Sequence, residues 1–223
     1  IREHVSRLRM EGRDPEALKY GEAYLRFATV VYERAQSEKL PPEKMYGMRQ
    51  LYADALLESG NAKDAVKLFA QCQEVDQQRR QALREKVDAR YAEKLDALRK
   101  ASSDVAATQA SAADFFQAIE RLGLKKEDMA TAADVTMALE HLAQVQQTEP
   151  QQQMQALGVL AQVLTEGWRR LQEIEVNSLP VDATNLHGLA RCKAQLGEYG
   201  ESIEPYKRML AGLNVNRHPA PYW

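Results

Sequence analysis

Two stretches of this chain read as the same object. Leu189 to Leu210, LARCKAQLGEYGESIEPYKRML, is an apolar run, a glycine-containing turn and a second amphipathic run. Tyr52 to Cys72, YADALLESGNAKDAVKLFAQC, repeats that order. Each is predicted to form an antiparallel helix pair. Gly197 and Gly60 stand where the first helix must stop, and glycine enters the left-handed conformation that closes a helix at no steric cost. After Gly197, the residues Tyr199, Ile203, Tyr206 and Leu210 follow at intervals of four, three and four, which is one face of a second helix. The two glycines lie 137 positions apart, close to four units of about 34 residues. A chain built from such pairs buries its apolar faces by stacking one pair on the next.

The rest of the composition agrees with a helical chain. Ala, Leu, Gln, Glu, Lys and Arg dominate long stretches, and all are good helix formers. Hydrophobic residues make up 44% and aromatics only 7%, so the core is expected to be mainly Leu, Ala, Val and Met. No period-2 strand pattern is present. The net charge of −2 provides no global basic field for nucleic acid. No apolar run reaches the 18 residues of a membrane span, so membrane insertion of this segment is not expected. Cys72 and Cys192 each fall within a helical pattern and read as small buried hydrophobes. They do not fix the compartment, which stays open.

Read along the chain, Arg2 to Met10 is a short charged helix. Asp14-Pro15-Glu16 starts the next, with Asp14 expected as N-cap and Pro15 in the first turn. Tyr20, Tyr24, Phe27, Val31 and Ala35 form its predicted inner face. It stops before Pro41-Pro42, and a helix from about Glu43 to Ser59 follows. Ala62 to Ser102 then runs without a break, with charges of both signs on one side. This is either one unusually long charged helix or two helices joined without a punctuating residue. Ala101 to Ala113, rich in Ser, Ala and Thr, reads as loop or hinge. Phe115, Phe116, Ile119 and Leu122 form a short stripe ended by Gly123, and Thr131 to Val145 is amphipathic. Thr148-Glu149-Pro150 opens a helix with Thr148 as expected N-cap, whose seam is Met154, Leu157, Ala161, Leu164, Trp168, Leu171 and Glu175. Leu179-Pro180 breaks it. The expected organisation is 1–102 as N-terminal helical repeats with the long helix, 103–114 as loop or hinge, and 115–223 as C-terminal repeats. Pro219-Ala220-Pro221-Tyr222-Trp223 reads as the start of a further repeat, so the sequence reads as a fragment of a larger protein.

The two pairs resemble tetratricopeptide repeats. The matching residues are Tyr52-Ala53, Gly60, Ala65 and Phe69 with Cys72 in the upstream pair. They are Leu189-Ala190, Gly197, Ser202 and Tyr206 with Met209 in the downstream one. Helix backbones approach closely only where side chains are small, and an aromatic fills the space beside them. The family's tryptophan is replaced by Arg49 and Leu186, and its proline after the second helix is missing. The resemblance implies an all-α solenoid, a right-handed superhelical array of antiparallel hairpins, with divergent repeats in the middle of the chain. It also implies a concave groove lined by first helices. The groove positions are then Gln50, Asp54 and Leu57 upstream, and Thr184, His187, Arg191 and Gln195 downstream. A clamp for a C-terminal carboxylate is not supported, because Asp54 has the wrong sign and only Arg191 fits.

The sequence offers no catalytic motif. His4, His141, His187 and His218 are isolated, and no Cys-x-x-Cys, phosphate-cradling glycine loop or nucleophile elbow is present. No cofactor, metal or catalytic residue is therefore expected. The basic residues Arg79, Arg80, Arg84, Lys86 and Arg90 are interrupted by Asp76, Glu85 and Asp88, which is more balanced than a nucleic-acid footprint. The expected function is a non-catalytic scaffold that binds a protein or peptide partner through a helical-repeat groove. The alternatives are a structural module that self-associates through the long helix, and an accessory domain of an enzyme.

Overall fold

The computed structural model describes residues 1–145 and 149–212. The described residues are all-helical. The α-helices are α1 (Arg2–Met10), α2 (Asp14–Ser37), α3 (Pro42–Glu58), α4 (Ala62–Ala101), α5 (Val105–Arg121), α6 (Ala130–Val145), α7 (Pro150–Asn177), α8 (Ala183–Gln195) and α9 (Tyr199–Gly212). A single 3-10 turn, Lys126–Asp128, precedes α6. None of these helices is long and apolar enough to cross a membrane.

The helix ends follow from local chemistry. Asn61 accepts from the Asp64 backbone N–H at 3.3 Å and starts α4. Asp104 does the same for Ala107 at α5, and Asp182 for Asn185 at α8, each satisfying a donor that the helix itself cannot. Asp14 lies inside α2 as its first residue, and Arg13 holds the cap position. The segment Ala62–Ala101 is one helix of 40 residues. Thr148 and the Pro219–Trp223 segment lie outside the described residues.

The stretch expected as a loop, 103–114, is helical from Val105 onward. Its small residues serve contact rather than looseness. Thr108 and Ala112 are buried, and the Thr108 hydroxyl donates to the Ala101 carbonyl at 2.9 Å. Only residues 102–104 separate α4 from α5.

The chain divides into two compact units, and the division falls inside α4. One unit is contiguous, Ala82–Leu179. Its core gathers Tyr91 and Leu98 from α4, Phe115 and Ile119 from α5, Val135 and Leu142 from α6, and Leu157, Leu164 and Trp168 from α7. Trp168 meets the Phe115 ring edge-on at 5.5 Å. Gly167 lies against the same ring, which a Cβ there would approach to 2.7 Å.

The other unit joins Ile1–Gln81 to Pro180–Trp223, and it contains both hairpins read from the sequence. α3 and the first half of α4 form one, and α8 and α9 the other. They pack directly on each other. Ala53, Leu56, Leu57, Ala62, Ala65, Phe69, Leu189 and Cys192 share a single core cluster. The intervening helices therefore do not stand between the two copies as stacked repeats. They form the other unit.

This discontinuous unit also holds a third hairpin that sequence reasoning missed. α1 and α2 turn on Gly12 at φ +71, as α3 and α4 turn on Gly60 at +89 and α8 and α9 on Gly197 at +80. The turn bonds are the same in all three. Gly12 donates to Arg9 and Arg13 to Leu8; Gly60 donates to Leu57 and Asn61 to Leu56; Gly197 donates to Ala194 and Glu198 to Lys193. Seven residues before each glycine stands a buried Val5, Ala53 or Ala190, and five residues after it a buried Ala17, Ala65 or Ser202. At the ninth residue after the turn, Phe69 and Tyr206 are matched by Gly21, whose absent Cβ would lie 2.2 Å from the Glu58 carbonyl oxygen.

One predicted inner face is displaced in part and another throughout by one residue. In α2 Tyr24 and Ala35 are buried as expected, but Gly21 and Ala28 turn inward in place of Tyr20 and Phe27, which are exposed. In α9 Ser202 and Pro205 turn inward, while Tyr199, Ile203 and Leu210 face solvent. Helices that approach closely select small residues, so the large side chains are left outside.

Candidate functional site

The first helices of the three hairpins, α1, α3 and α8, carry a continuous strip of charged side chains. Glu58 on α3 sits at its centre with no solvent exposure. A buried carboxylate costs several kcal/mol unless it is paired, and two helices supply cations. Arg9 of α1 donates through Nη1 to Glu58 Oε2 at 2.9 Å and through Nη2 to the Glu58 carbonyl at 2.7 Å. Arg191 of α8 places Nη2 2.7 Å from Oε1. That contact is an ion pair without hydrogen-bond alignment, and Oε1 accepts no hydrogen bond.

One turn earlier on α3, Asp54 continues the strip. Arg2 of α1 places Nε 3.5 Å from its Oδ1, and the Tyr24 hydroxyl donates to Oδ2 at 3.4 Å. Burial raises the Asp54 carboxyl above its ordinary range, with Arg2 opposing. Burial, with Asp54 beside it, pushes the Tyr24 phenol up to about 12. Arg2 also reaches α8, where its Nη2 lies 3.3 Å from His187 Nδ1. That bond requires Nδ1 as acceptor and therefore a neutral ring. Burial lowers the His187 pKa, and Arg191 and Arg2 lower it further.

The positions expected to line a groove divide into four groups. Asp54, His187 and Arg191, read from two hairpins far apart in sequence, meet in this one strip. Gln50 lies beside it and donates to Asp182 Oδ2 at 2.6 Å, an oxygen that also accepts from the Tyr46 hydroxyl at 2.5 Å. Since Asp182 caps α8, Gln50 ties α3 to the start of that helix. Thr184 and Gln195 are exposed on α8 and have open surroundings. Leu57 does not line the strip: it is fully buried in the core. The charged face of α3 runs from Asp54 to Glu58, four residues on, which turns Leu57 toward Ala53 and Phe69.

Sequence reasoning missed Glu58, Arg2 and Arg9. Glu58 lies two residues before the turn glycine and reads as solvated, and the two arginines sit on a helix not recognised as part of a hairpin. The available signal was Gly12, followed five residues later by Ala17.

The strip has three guanidinium groups on two carboxylates, with a neutral imidazole between them. No group of three or more His, Cys, Asp or Glu side chains among the described residues is arranged to hold a metal ion. Arg2 keeps 39% of its side chain exposed, Arg9 28%, and Arg191 19%, so the strip is reachable from solvent along its cationic edges. Chemically it can order polar and charged groups of another chain. No protein-family model, no curated protein and no solved structure matches this chain.

Proposed function

We propose that this chain is a non-catalytic interaction scaffold of the tetratricopeptide type. Three hairpins, α1/α2, α3/α4 and α8/α9, stack as a short solenoid and bind a protein or peptide partner along their first helices. The observation that carries this reading is the meeting of Asp54, His187 and Arg191 in one solvent-reachable strip, with Asp54 and Arg191 at the same position, six residues before the turn glycine, of two hairpins far apart in sequence. Three is also the smallest number of repeats that makes such an array stable. Affinity comes from shape and side-chain contacts, with no covalent step.

Peptide display on the immobilised chain tests this. Selected peptides are expected to lose at least tenfold in affinity for a variant carrying Arg2→Gln and Gln195→Arg, and to bind Gly47→Ala normally. Peptides that bind both variants equally would place the binding face elsewhere.

A second reading is favoured by α4. Residues 77–79 and 81–86 are exposed on every side of that helix, Leu83 among them, and a helix exposed all round needs a use other than core packing. Self-association along α4 predicts a dimer by light scattering at high concentration, and a monomer under those conditions sinks it.

A further inference from the structure

The outer face of α9 continues a surface that is already used once inside the chain. In the second hairpin, the residues two, six and nine positions after the turn glycine are Ala62, Val66 and Phe69. Ala62 and Phe69 belong to the cluster that holds Leu189 and Cys192 of α8, and Val66 packs against that cluster. The fit is close. Gly188 of α8 lies where a Cβ would come within 2.4 Å of the Phe69 ring, so the first helix of one hairpin crosses the second helix of the preceding one at a glycine.

The same three positions in the last hairpin are Tyr199, Ile203 and Tyr206. Tyr199 is 69% exposed and Ile203 52%, and Leu210 further along is 59% exposed. Tyr206 is half-buried, with its ring 6.1 Å from that of His187. Large apolar side chains presented at one helical spacing mark an interaction surface more often than a solvated face. Here the register also says what fits them.

We propose that the α9 face formed by Tyr199, Ile203, Tyr206 and Leu210 docks an amphipathic helix of a partner protein. That helix has a glycine or alanine at the centre of its apolar side, and it seats as α8 seats on Phe69. The ligand is thus a first-helix mimic. This surface touches the charged strip on α1, α3 and α8 only through Tyr206, beside His187, and Ile203 and Leu210 lie outside it, so a failure read at those two positions leaves that reading standing.

The probe is an acetylated, fluorescent peptide with the sequence of residues 183–195, carrying Cys192→Ser, titrated against the full chain by anisotropy. The expected result is saturable binding. Gly188→Leu in the peptide and Ile203→Glu in the chain each weaken it at least tenfold. Both chain positions to be altered, Ile203 and Leu210, are solvent-facing, so these variants keep the fold, which circular dichroism verifies. Absence of binding at millimolar peptide, or binding unchanged in both Ile203→Glu and Leu210→Glu, overturns the proposal. Dimerisation of the chain that Ile203→Glu abolishes also overturns it, because a second copy is then the occupant.

Discussion

Gly188→Ala tests whether the two hairpins are pressed together as tightly as the structure describes. The new Cβ would stand 2.4, 2.5 and 2.7 Å from three carbons of the Phe69 ring, against 3.4–4 Å for ordinary contact. The ring must retreat by about 1 Å. It is 1% exposed and closed in by Ala53, Leu57, Ala65 and Cys192, so it has no empty space to enter. Overpacking of this kind costs about 1–3 kcal/mol, and three short contacts to one rigid ring place it in the upper half of that range. Replacing a helical glycine by alanine returns about 1 kcal/mol. The net expectation is a loss of about 1–2 kcal/mol. Gly47→Ala on α3 is the control, because its Cβ meets nothing within 4 Å. There the propensity gain stands alone, at about 0.5–1 kcal/mol in the stabilising direction. Urea unfolding by circular dichroism should separate the two midpoints by about 1 M, since slopes of 1–3 kcal/mol per molar are usual. Adding Phe69→Leu should restore part of the loss, giving a coupling of at least about 0.5 kcal/mol in the double-mutant cycle. A Gly188→Ala midpoint at or above that of Gly47→Ala would refute the reasoning, because the ring would then yield freely.

Ala65→Trp should lower thermal stability by at least about 1–3 kcal/mol, because Ala65 is fully buried in the same cluster; an unchanged melting temperature would remove the register shared by the hairpins. His187 is faced by Arg2 from α1, Glu58 from α3, Arg191 from its own helix and Tyr206 from α9. Its folded-state pKa is lowered, so the unfolded chain takes up a proton first as pH falls through about 6.5. Stability is therefore expected to decline below that pH, and His187→Gln should flatten the curve between about pH 5 and 7. Asp54 acts with the opposite sign at lower pH: its raised pKa means the folded carboxyl keeps its proton longer, so its contribution is lost as pH rises above about 4. Burial pushes the Cys72 thiol up to about 11 and the Cys192 thiol up to about 12. Neither should react with a thiol reagent at pH 8 until urea unfolds the chain, and rapid labelling of the native protein would contradict their burial.

The sequence was most legible where a single residue type decides the local geometry. Gly60 and Gly197 marked their turns, Pro15 and Pro150 marked helix starts, Pro41-Pro42 marked the end of α2, and the Leu157–Leu171 seam lay inward as its spacing required. It was least legible where tertiary packing chooses between adjacent faces. In α2 the aromatic spacing pointed to Tyr20 and Phe27, yet Gly21 and Ala28 are the residues turned inward, because α3 approaches too closely for a ring. The third hairpin hid for the same reason: Gly21 stands where the other two have an aromatic. Of the site, Asp54, His187 and Arg191 could be read from the register. Glu58 could not, since its burial depends on Arg9 and Arg191, which reach it from helices remote in sequence.

The discontinuity of the hairpin unit sets an order of events. The Phe69 surface is made early in the chain, and the helix that covers it, α8, begins about a hundred residues after the first half of α4 ends. At synthesis rates of about 5–20 residues per second, that surface waits for seconds with Phe69 uncovered. The contiguous unit at 82–179 can complete itself during the wait, and in doing so it shortens the span that α8 must search to find its partner. Translation speed across 82–179 therefore bears on aggregation of the first two hairpins, a vulnerability that belongs to the ribosome-bound chain and disappears once α8 has closed over Phe69.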